Sequence, residues 1–585
     1  MRAALVQFNP TIGDLDANIA RMGELVARAR ESGAELVVFP ELSVCGYPPR
    51  DLLLHEGFVR DCARAADDLG RVHGDGLTLV LGAPLPLDDA RPERGTTNSL
   101  LAFRDGRAIA RYDKRLLPTY DVFDEDRYFV PGERATVIDV PTRAGGEGVA
   151  RVGLSICEDL WKGEDAGFAS RYLDRPDPVL GLVRAGARVV VNPPASPFVL
   201  GKGGRHRAIL ARHATAHGVI VAGVNQVGGN DDLVFDGHAA AYDGSGRPIA
   251  FGPGFEEAVV MMTLAEGGAT KAQAPPPDPL LAAPPEELLF RALVLGTRDY
   301  LRKTGHARAL VGLSGGIDSA VTCALASRAV GAENVLGVSM PGKYSSPHSI
   351  TDAEELARRL GVRCLRLPIS GPFEGFRATL DAAFEALGVR ALGATLPDLA
   401  EENLQSRTRG VALMTISNRT GAIVLTTGNK SELAVGYCTL YGDTNGGLAV
   451  LGDLTKAQVY ALARWMNAEP ARAGFAGPPI PESSITKPPS AELAPGQTDQ
   501  DTLPPYEVLD EVVARYVERK QSVGRIAREC GLDAAMVARL ARMIDLAEYK
   551  RQQLAVGIKV TGVAFGSGRR VPIAQRWRSD APRRG

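Results

Sequence analysis

The chain has 585 residues, 45% hydrophobic and 23% charged, with 67 Lys and Arg against 69 Asp and Glu for a net charge of -2. Such a length exceeds one ordinary core and predicts roughly two to four domains; the composition excludes a globally disordered chain, and the near-neutral balance offers no basic field for nucleic acid or a membrane surface. The seven cysteines are odd in number and include no C-x-x-C pair, which excludes a disulfide framework or zinc site as the organising device and fits a reducing cytoplasm.

The first residues, "MRAALVQFNPTIGD", run straight into strand-like sequence without a charged n-region or long apolar h-region, and no later apolar run is long enough to span a bilayer. The expectation is a cytoplasmic protein. From residue 1 to 265, short aliphatic runs alternate with amphipathic stretches, as in a layered α/β domain. The strand candidates are "RAALVQF", "AELVVFP", "LTLVLGA", "NSLLAF", "ARVGLSIC", "ARVVVNP", "GVIVAGVNQ" and "AAAYD". Residues 266–285, "EGGATKAQAPPPDPLLAAPP", are rich in Gly, Ala and Pro and read as a linker. A second α/β domain, 286–585, opens with a helical pattern carrying Leu289, Leu293, Tyr300 and Leu301. Strand and helix candidates then alternate through "NVLGVSMP", "TDAEELARRLG", "AIVLTTGN" and "TKAQVYALARWMN", the pattern of a parallel sheet with crossover helices. Residues 474–506 form a long Pro-, Gly-, Ser- and Thr-rich segment of the kind that serves as a lid or stays disordered. Helical patterns from 507 to 555 and a basic tail complete the chain.

Three residues stand at or just beyond strand candidates: Glu41 in "VVFPELSVCGYP", Lys114 in "ARYDKRLLPTYDVFDEDRYFVPGE" and Cys157 in "VGLSICEDLW". A cysteine acts as a nucleophile only when a neighbouring cation lowers its pKa or a base takes its proton. Glu41 is the candidate base, and Lys114 the candidate partner for an oxyanion, together with backbone N–H groups near residue 158. The other six cysteines read as small core residues.

"FPELSVCGY", "YDKRLLPTYDVFDEDRYFVPG" and "GLSICEDLW", in this order, resemble the three signature segments of the nitrilase or carbon-nitrogen hydrolase family. The resemblance implies a four-layer α-β-β-α sandwich, with Glu41 as general base, Lys114 supporting the tetrahedral intermediate, Cys157 as nucleophile and Glu125 orienting the site. "NPPASPFVLGKGGRHR" is similar to the substrate-binding segment of glutamine-hydrolysing members, which implies Ser196 and Lys202, with Tyr120, as glutamine contacts.

In the second domain "GLSGGIDS" follows an apolar strand. Its glycines permit a tight turn that aims N–H groups and a helix N-terminus at an anion, so the loop can cradle phosphate without a lysine of its own. Ser314 and Ser319 add hydroxyl donors, and Asp318 is a candidate magnesium ligand. The loop, Gly312, Leu313, Ser314, Gly315, Gly316, Ile317, Asp318 and Ser319, resembles that of the ATP pyrophosphatase group, which cleaves ATP between the α and β phosphates and adenylates an acceptor. Taken alone it leaves the acceptor open among NAD, GMP and asparagine synthetases and tRNA-modifying enzymes.

"EENLQSRTRG", "LTTGNKSELAVGYCTLYGD", "GDLTKAQVY", "PPSAELAPGQTDQDTLPPYEVLD" and "GIKVTGVAFGSGRRVPI" together resemble the NAD synthetase domain. The resemblance implies Thr427 and Lys456 as ATP contacts, Asn403, Arg407, Glu432 and Lys559 as deamido-NAD contacts, and Asp318 with Glu432 as holders of Mg²⁺. Lys487 and Ser490 fall in the lid segment. At Leu440 and Gly447 the chain departs from the ammonia-only members, whose lysine and aspartate fall at these positions, with Asp443 as a substitute. Both resemblances in one chain imply a glutamine-dependent NAD synthetase. Its implied reaction is the last step of NAD⁺ biosynthesis, ATP-dependent amidation of deamido-NAD⁺ with glutamine as ammonia source, releasing AMP, pyrophosphate and glutamate. An enclosed ammonia passage and a homo-oligomer, an octamer, are also implied.

Overall fold

Along the first strand, β1 (Arg2–Gln7), Ala3 and Leu5 enter one apolar core while Ala4 and Val6 enter another, the period of two that buries both faces of a sheet. The structure is a computed structural model describing residues 1–88, 95–142, 148–163, 172–263, 278–392, 397–577 and 579. It divides into two units, Met1–Pro284 and Pro285–Gly585.

In the first unit, β1 is followed by α1 (Leu15–Glu31), β2 (Leu36–Val38), α2 (Glu56–His73), β3 (Thr78–Pro86), β4 (Thr96–Arg104), β5 (Arg107–Asp113), β6 (Thr136–Thr142) and β7 (Gly148–Leu154). Then come α3 (Pro178–Arg184), β8 (Val189–Asn192), α4 (Lys202–His217), β9 (Ile220–Gly223), β10 (Val227–Asn230), β11 (Leu233–Asp236), β12 (Ala240–Tyr242), β13 (Pro248–Phe251), β14 (Ala258–Thr263) and α5 (Pro279–Ala282). Two six-stranded mixed sheets form, ordered β14-β1-β2-β3-β4-β5 and β13-β12-β9-β8-β7-β6, while β10 and β11 make a separate hairpin. Leu5, Val38, Val80 and Ala102 of one sheet pack against Val152, Val191 and Ala222 of the other. The outer faces are covered by α1 and α2 on one side and α3 and α4 on the other, which completes an α-β-β-α sandwich. All eight strand candidates overlap observed strands, whereas β5, β6, β10, β11, β13 and β14 are additional.

The supposed linker is in part structural. Residues 266–277 lie outside those described, but 278–284 belong to the first unit, where Asp278 meets the buried Arg207 guanidinium at 2.7 Å.

The second unit contains α6 (Pro285–Lys303), β15 (Ala309–Gly312), α7 (Ile317–Val330), β16 (Val335–Ser339), α8 (Pro347–Leu360), β17 (Arg363–Arg366), α9 (Ser370–Ala386), α10 (Leu399–Thr420) and β18 (Ile423–Thr426). It continues through α11 (Lys430–Val435), β19 (Leu448–Ala449), α12 (Lys456–Ala468), α13 (Glu482–Thr486), α14 (Tyr506–Val513), α15 (Val523–Cys530), α16 (Ala534–Leu546) and β20 (Val556–Gly557). The six strands are parallel in the order β17-β16-β15-β18-β19-β20. From β15 the chain moves outward through β16 and β17, then returns to the other flank with β18. A crevice therefore opens where β15 and β18 part at their carboxyl ends, the place where such sheets bind ligands.

Candidate active sites

Glu41, Lys114 and Cys157 stand just past the carboxyl ends of β2, β5 and β7, so the two facing sheets bring together residues distant in sequence. Gly82 on β3 admits the turn that carries Glu41: a Cβ there would stand 2.4 Å from the Leu42 nitrogen. All three residues and Glu125 are buried. Lys114 Nζ lies 2.7 Å from Glu41 Oε1 and 2.9 and 2.8 Å from the Glu125 oxygens. Asn98 Nδ2 also donates to Glu41 Oε1 at 2.7 Å, the Ala195 N–H donates to Glu41 Oε2 at 2.8 Å, and the Tyr47 hydroxyl donates to Glu125 at 3.0 Å.

Cys157 begins a short 3-10 turn with φ +41°, a left-handed conformation uncommon for a residue with a side chain. Burial and the Glu41 carboxylate push its thiol well above the usual range, against the pull of Lys114. The resting group is therefore a thiol, and a base rather than a depressed pKa must generate the nucleophile. Burial pulls the Lys114 pKa down, but Glu125 and Glu41 outweigh it and hold the ammonium charged. Burial pushes the Glu125 carboxyl up to about 7, opposed by Lys114 and assisted by Glu41.

Beside the cysteine, Lys202 Nζ donates to Ser196 Oγ at 2.8 Å and sits over the Phe123 ring. The Tyr120 hydroxyl donates to Glu158 Oε2 at 3.0 Å, and the Tyr172 hydroxyl to Glu158 Oε1 at 3.1 Å. Thus Tyr120, Ser196 and Lys202 converge with a buried carboxylate, Glu158, that sequence reasoning passed over although it adjoins Cys157. Asn98 and Tyr47 were likewise missed; neither carries a sequence signal, since both act on Glu41 and Glu125 only through the fold.

In the second unit a cavity of about 730 Å³ opens at the sheet crevice, ample for a nucleotide and a further substrate. Gly312, Leu313, Ser314, Gly316, Ile317, Asp318 and Ser319 line it, as do Thr427, Lys456, Asn403, Arg407, Glu432, Lys487, Ser490, Leu440 and Asp443. Gly315 has φ +75°, and a Cβ there would stand 2.2 Å from the Ser349 carbonyl oxygen, so the turn depends on glycine. Ser319 Oγ lies 3.1 Å from Ser314 Oγ and holds the loop against the first turn of α7.

Lys456 Nζ reaches Asp318 Oδ2 at 2.6 Å and Glu432 Oε1 at 2.9 Å, while Asn429 Nδ2 donates to Asp318 Oδ1 at 2.9 Å. Burial pulls the Lys456 pKa down, but Asp318 and Glu432 outweigh it and keep the ammonium charged. Burial pushes Glu432 up to about 7, with Lys456 opposing and Asp318 adding. The pair was named from sequence; Asn429, in "TGNKSE", was not, although its Asn-x-x-Glu spacing is a helix-capping signal.

Two residues are placed differently from the rest. Lys559 is not among the residues lining the cavity: its side chain is buried and its Nζ donates to the carbonyl oxygens of Thr561 and Gly562. Cys438, read as core, does line the cavity. At the divergent positions, Arg407 Nε donates to the Leu440 carbonyl at 3.2 Å, Asp443 Oδ1 accepts the Thr439 N–H at 2.6 Å, and the Gly447 N–H joins β18 through Val424. The Pro-rich segment is folded against the phosphate loop. Ser484 Oγ donates to the Gly315 carbonyl at 3.0 Å, and Lys487 Nζ to Ser349 Oγ at 3.1 Å.

A buried Glu-Lys-Cys set between two sheets, joined in one chain to a lysine-free phosphate loop on a parallel sheet, defines the class of two-unit amidotransferases. The carbon-nitrogen hydrolase family profile matches residues 2–272, and the NAD synthase profile matches residues 289–554. The glutamine-dependent NAD(+) synthetase of Synechocystis sp. is 43% identical over 579 residues, covering 98% of each chain, and that of Thermotoga maritima is 38% identical over 609 residues, covering 99% of each. The structure of glutamine-dependent NAD⁺ synthetase from Acinetobacter baumannii in complex with adenosine diphosphate superposes with a TM-score of 0.71 at 35% identity, over 99% of both chains. That of Cytophaga hutchinsonii shares the fold, with a TM-score of 0.78 at 19% identity over 98% of both. The chain belongs to the family of glutamine-dependent NAD(+) synthetases.

Proposed function

We propose that the first unit hydrolyses glutamine and the second uses the ammonia to amidate deamido-NAD⁺ at the expense of ATP. The observation that carries this reading is the coexistence, in one chain, of Cys157 beside the buried Glu41–Lys114 contact at 2.7 Å and a nucleotide-sized cavity around Asp318 and Lys456.

Glutamine has an ammonium and a carboxylate to be recognised. Glu158, held by Tyr120 and Tyr172, is placed for the first, and Lys202 with Ser196 for the second. As Cys157 Sγ bonds to the side-chain amide carbon, Glu41 takes the thiol proton and Lys114 faces the developing oxyanion. Glu41 returns the proton to the leaving nitrogen, giving ammonia and a glutamyl thioester. A water, deprotonated by Glu41, then cleaves the thioester to glutamate and restores the thiol.

In the second unit Ser314, Ser319 and the N–H groups entering α7 cradle the ATP phosphates, with Thr427 near the nucleotide and Lys456 countering phosphate charge. Asn403 and Arg407 contact the dinucleotide. Its nicotinate carboxylate bonds to the α-phosphorus as pyrophosphate leaves; ammonia then bonds to the carbonyl carbon, and AMP leaves with loss of a proton. Asp318 and Glu432 suit Mg²⁺. They are hard oxygen donors converging on a cation, and a magnesium site on phosphates needs only one or two carboxylates. Among the described residues no group of three or more His, Cys, Asp or Glu could hold a metal alone. The ion, when bound, neutralises pyrophosphate charge.

Seven free cysteines support a reducing, cytoplasmic setting. Exposed Phe376, Leu387, Val389, Leu399 and Val411 on and near α9 and α10 support a homo-oligomer, an octamer in our reading.

Paired variants test the function. Cys157→Ala loses NAD formation with glutamine and keeps it with ammonium, whereas Asp318→Ala loses both. A Cys157→Ala chain fully active with glutamine overturns the reading.

A further inference from the structure

Between the lysine and the cysteine lies a carboxylate that the reaction leaves without a task. Asp159 is fully buried, two residues past Cys157. Its Oδ1 accepts the backbone N–H groups of Arg115 at 3.1 Å and Leu116 at 3.0 Å, the two residues after Lys114. Its Oδ2 accepts the Ile156 N–H at 2.9 Å, immediately before Cys157, and the Tyr112 hydroxyl at 2.6 Å. The four donors come from the end of β5, which carries Lys114, and from the turn beyond β7, which carries the nucleophile. These segments belong to different sheets, and no backbone ladder joins β5 to β7.

We propose that Asp159 is a positioning residue for glutamine hydrolysis, a single carboxylate that fixes the Lys114 segment against the Cys157 turn. The inference rests on the amide-hydrolysing role of the first unit. Asp159 itself touches none of the proposed reacting atoms. Its work is geometric: Cys157 keeps its left-handed φ only because its surroundings hold it, and the Ile156 N–H bond grips the residue preceding that twist. The bonds to Arg115 and Leu116 anchor Lys114 from the other side. Charge-assisted bonds to backbone N–H groups suit the task because they are short, directional and well retained in a low-dielectric interior.

Glutamate release, ammonium-driven NAD formation and the pH dependence of Cys157 alkylation by iodoacetamide, followed on its own peptide, are measured for the full chain, Asp159→Asn and Tyr112→Phe. An amide at 159 can accept at one oxygen only. In Asp159→Asn, kcat for glutamate release falls about 100-fold, the cost of misplacing reacting groups by about an ångström. KM for glutamine stays within about twofold, ammonium-driven synthesis is retained, and the alkylation midpoint moves to higher pH as Lys114 loses its hold near the thiol. Tyr112→Phe removes one of the four bonds, giving a smaller fall of about tenfold in the same direction. It decides the matter if Asp159→Asn does not fold. Unchanged kcat and midpoint in a folded variant overturn the proposal, as does a fall in kcat with no shift of the midpoint. A wild-type chain that releases no glutamate overturns instead the reading on which the proposal rests.

Discussion

Lys456 Nζ lies 2.6 Å from Asp318 Oδ2, joining the first turn of α7 to the first residue of α12 across 138 positions of sequence. The Gly312–Ser319 loop has no lysine of its own, and the cation beside it comes from another helix and is held by the aspartate within the loop. Position is fixed further by the backbone, because the Lys456 N–H donates to Ser431 Oγ at 2.8 Å and the Ala457 N–H to Asp510 Oδ2 at 3.0 Å. Lys456→Met is expected to lower NAD formation by at least about 100-fold with either nitrogen source, since it removes charge where pyrophosphate develops. Glutamate release, measured separately, continues. A variant that loses only glutamine-driven synthesis contradicts a role for Lys456 at the ATP.

The phosphate loop itself offers a stricter geometric test. Gly315 has φ +75° and no room for a Cβ beside the Ser349 backbone. Gly315→Ala forces either the loop or the start of α8 to shift, at a cost of about 1–3 kcal/mol in strain. The expected result is a rise of more than about tenfold in KM for ATP with unchanged glutamate release.

How far the sequence disclosed these sites depended on whether their determinants were local. Glu41, Cys157 and the Ser314–Ser319 loop each occupy a short run at the end of an aliphatic strand, Lys114 follows the more polar β5, and the unbroken apolar runs of β1 and β2 mark strands buried on both faces. Strand β10, "VGGN", contains two glycines and an asparagine, so its extended conformation comes from pairing with β11 rather than from propensity. Helix α9 buries only Phe373, a pattern that gives no clear face to read. Asp159 sits beside the nucleophile, yet its partners at 112, 115 and 116 are known only once the two sheets meet. Lys559 is a case where a local signal names the residue but not its surroundings: its segment marks it as a candidate substrate contact, while its bonds to the Thr561 and Gly562 carbonyl oxygens follow only from the folded chain.

The pH dependence of glutamine hydrolysis follows from the buried carboxyls. Glu125, pushed up to about 7 by burial, is protonated below that value and ionised above it. Ionised, it grips Lys114 with both oxygens and holds that ammonium where it faces the developing oxyanion, so the ionised form favours attack by Cys157. The rate of glutamate release should therefore rise with pH through about 7 and level off above it. In Glu125→Gln the rate is lower and this inflection disappears. An inflection near 7 that persists in the glutamine variant assigns the titration to another group.

The first unit's stability depends on a contact in the stretch that composition marks as linker. The Arg207 guanidinium is buried, with Nε 2.7 Å from Asp278 Oδ2, Nη1 2.7 Å from the His238 carbonyl and its plane over the Phe251 ring at 4.9 Å. Asp278→Ala strands that cation in a low-dielectric site, which costs about 3–5 kcal/mol, more than most surface changes. Replacing both partners by apolar residues, Arg207→Met with Asp278→Leu, removes the uncompensated charge and should recover most of the loss. Trp161 packs on His206 in this unit, whereas Trp465 and Trp577 belong to the other. Urea unfolding followed by Trp161 fluorescence, in a Trp465→Phe/Trp577→Phe background, therefore reports the first unit. The single variant should shift its transition to lower urea and the double variant should return it; equal losses in both would show that residues 278–284 contribute through packing instead of charge.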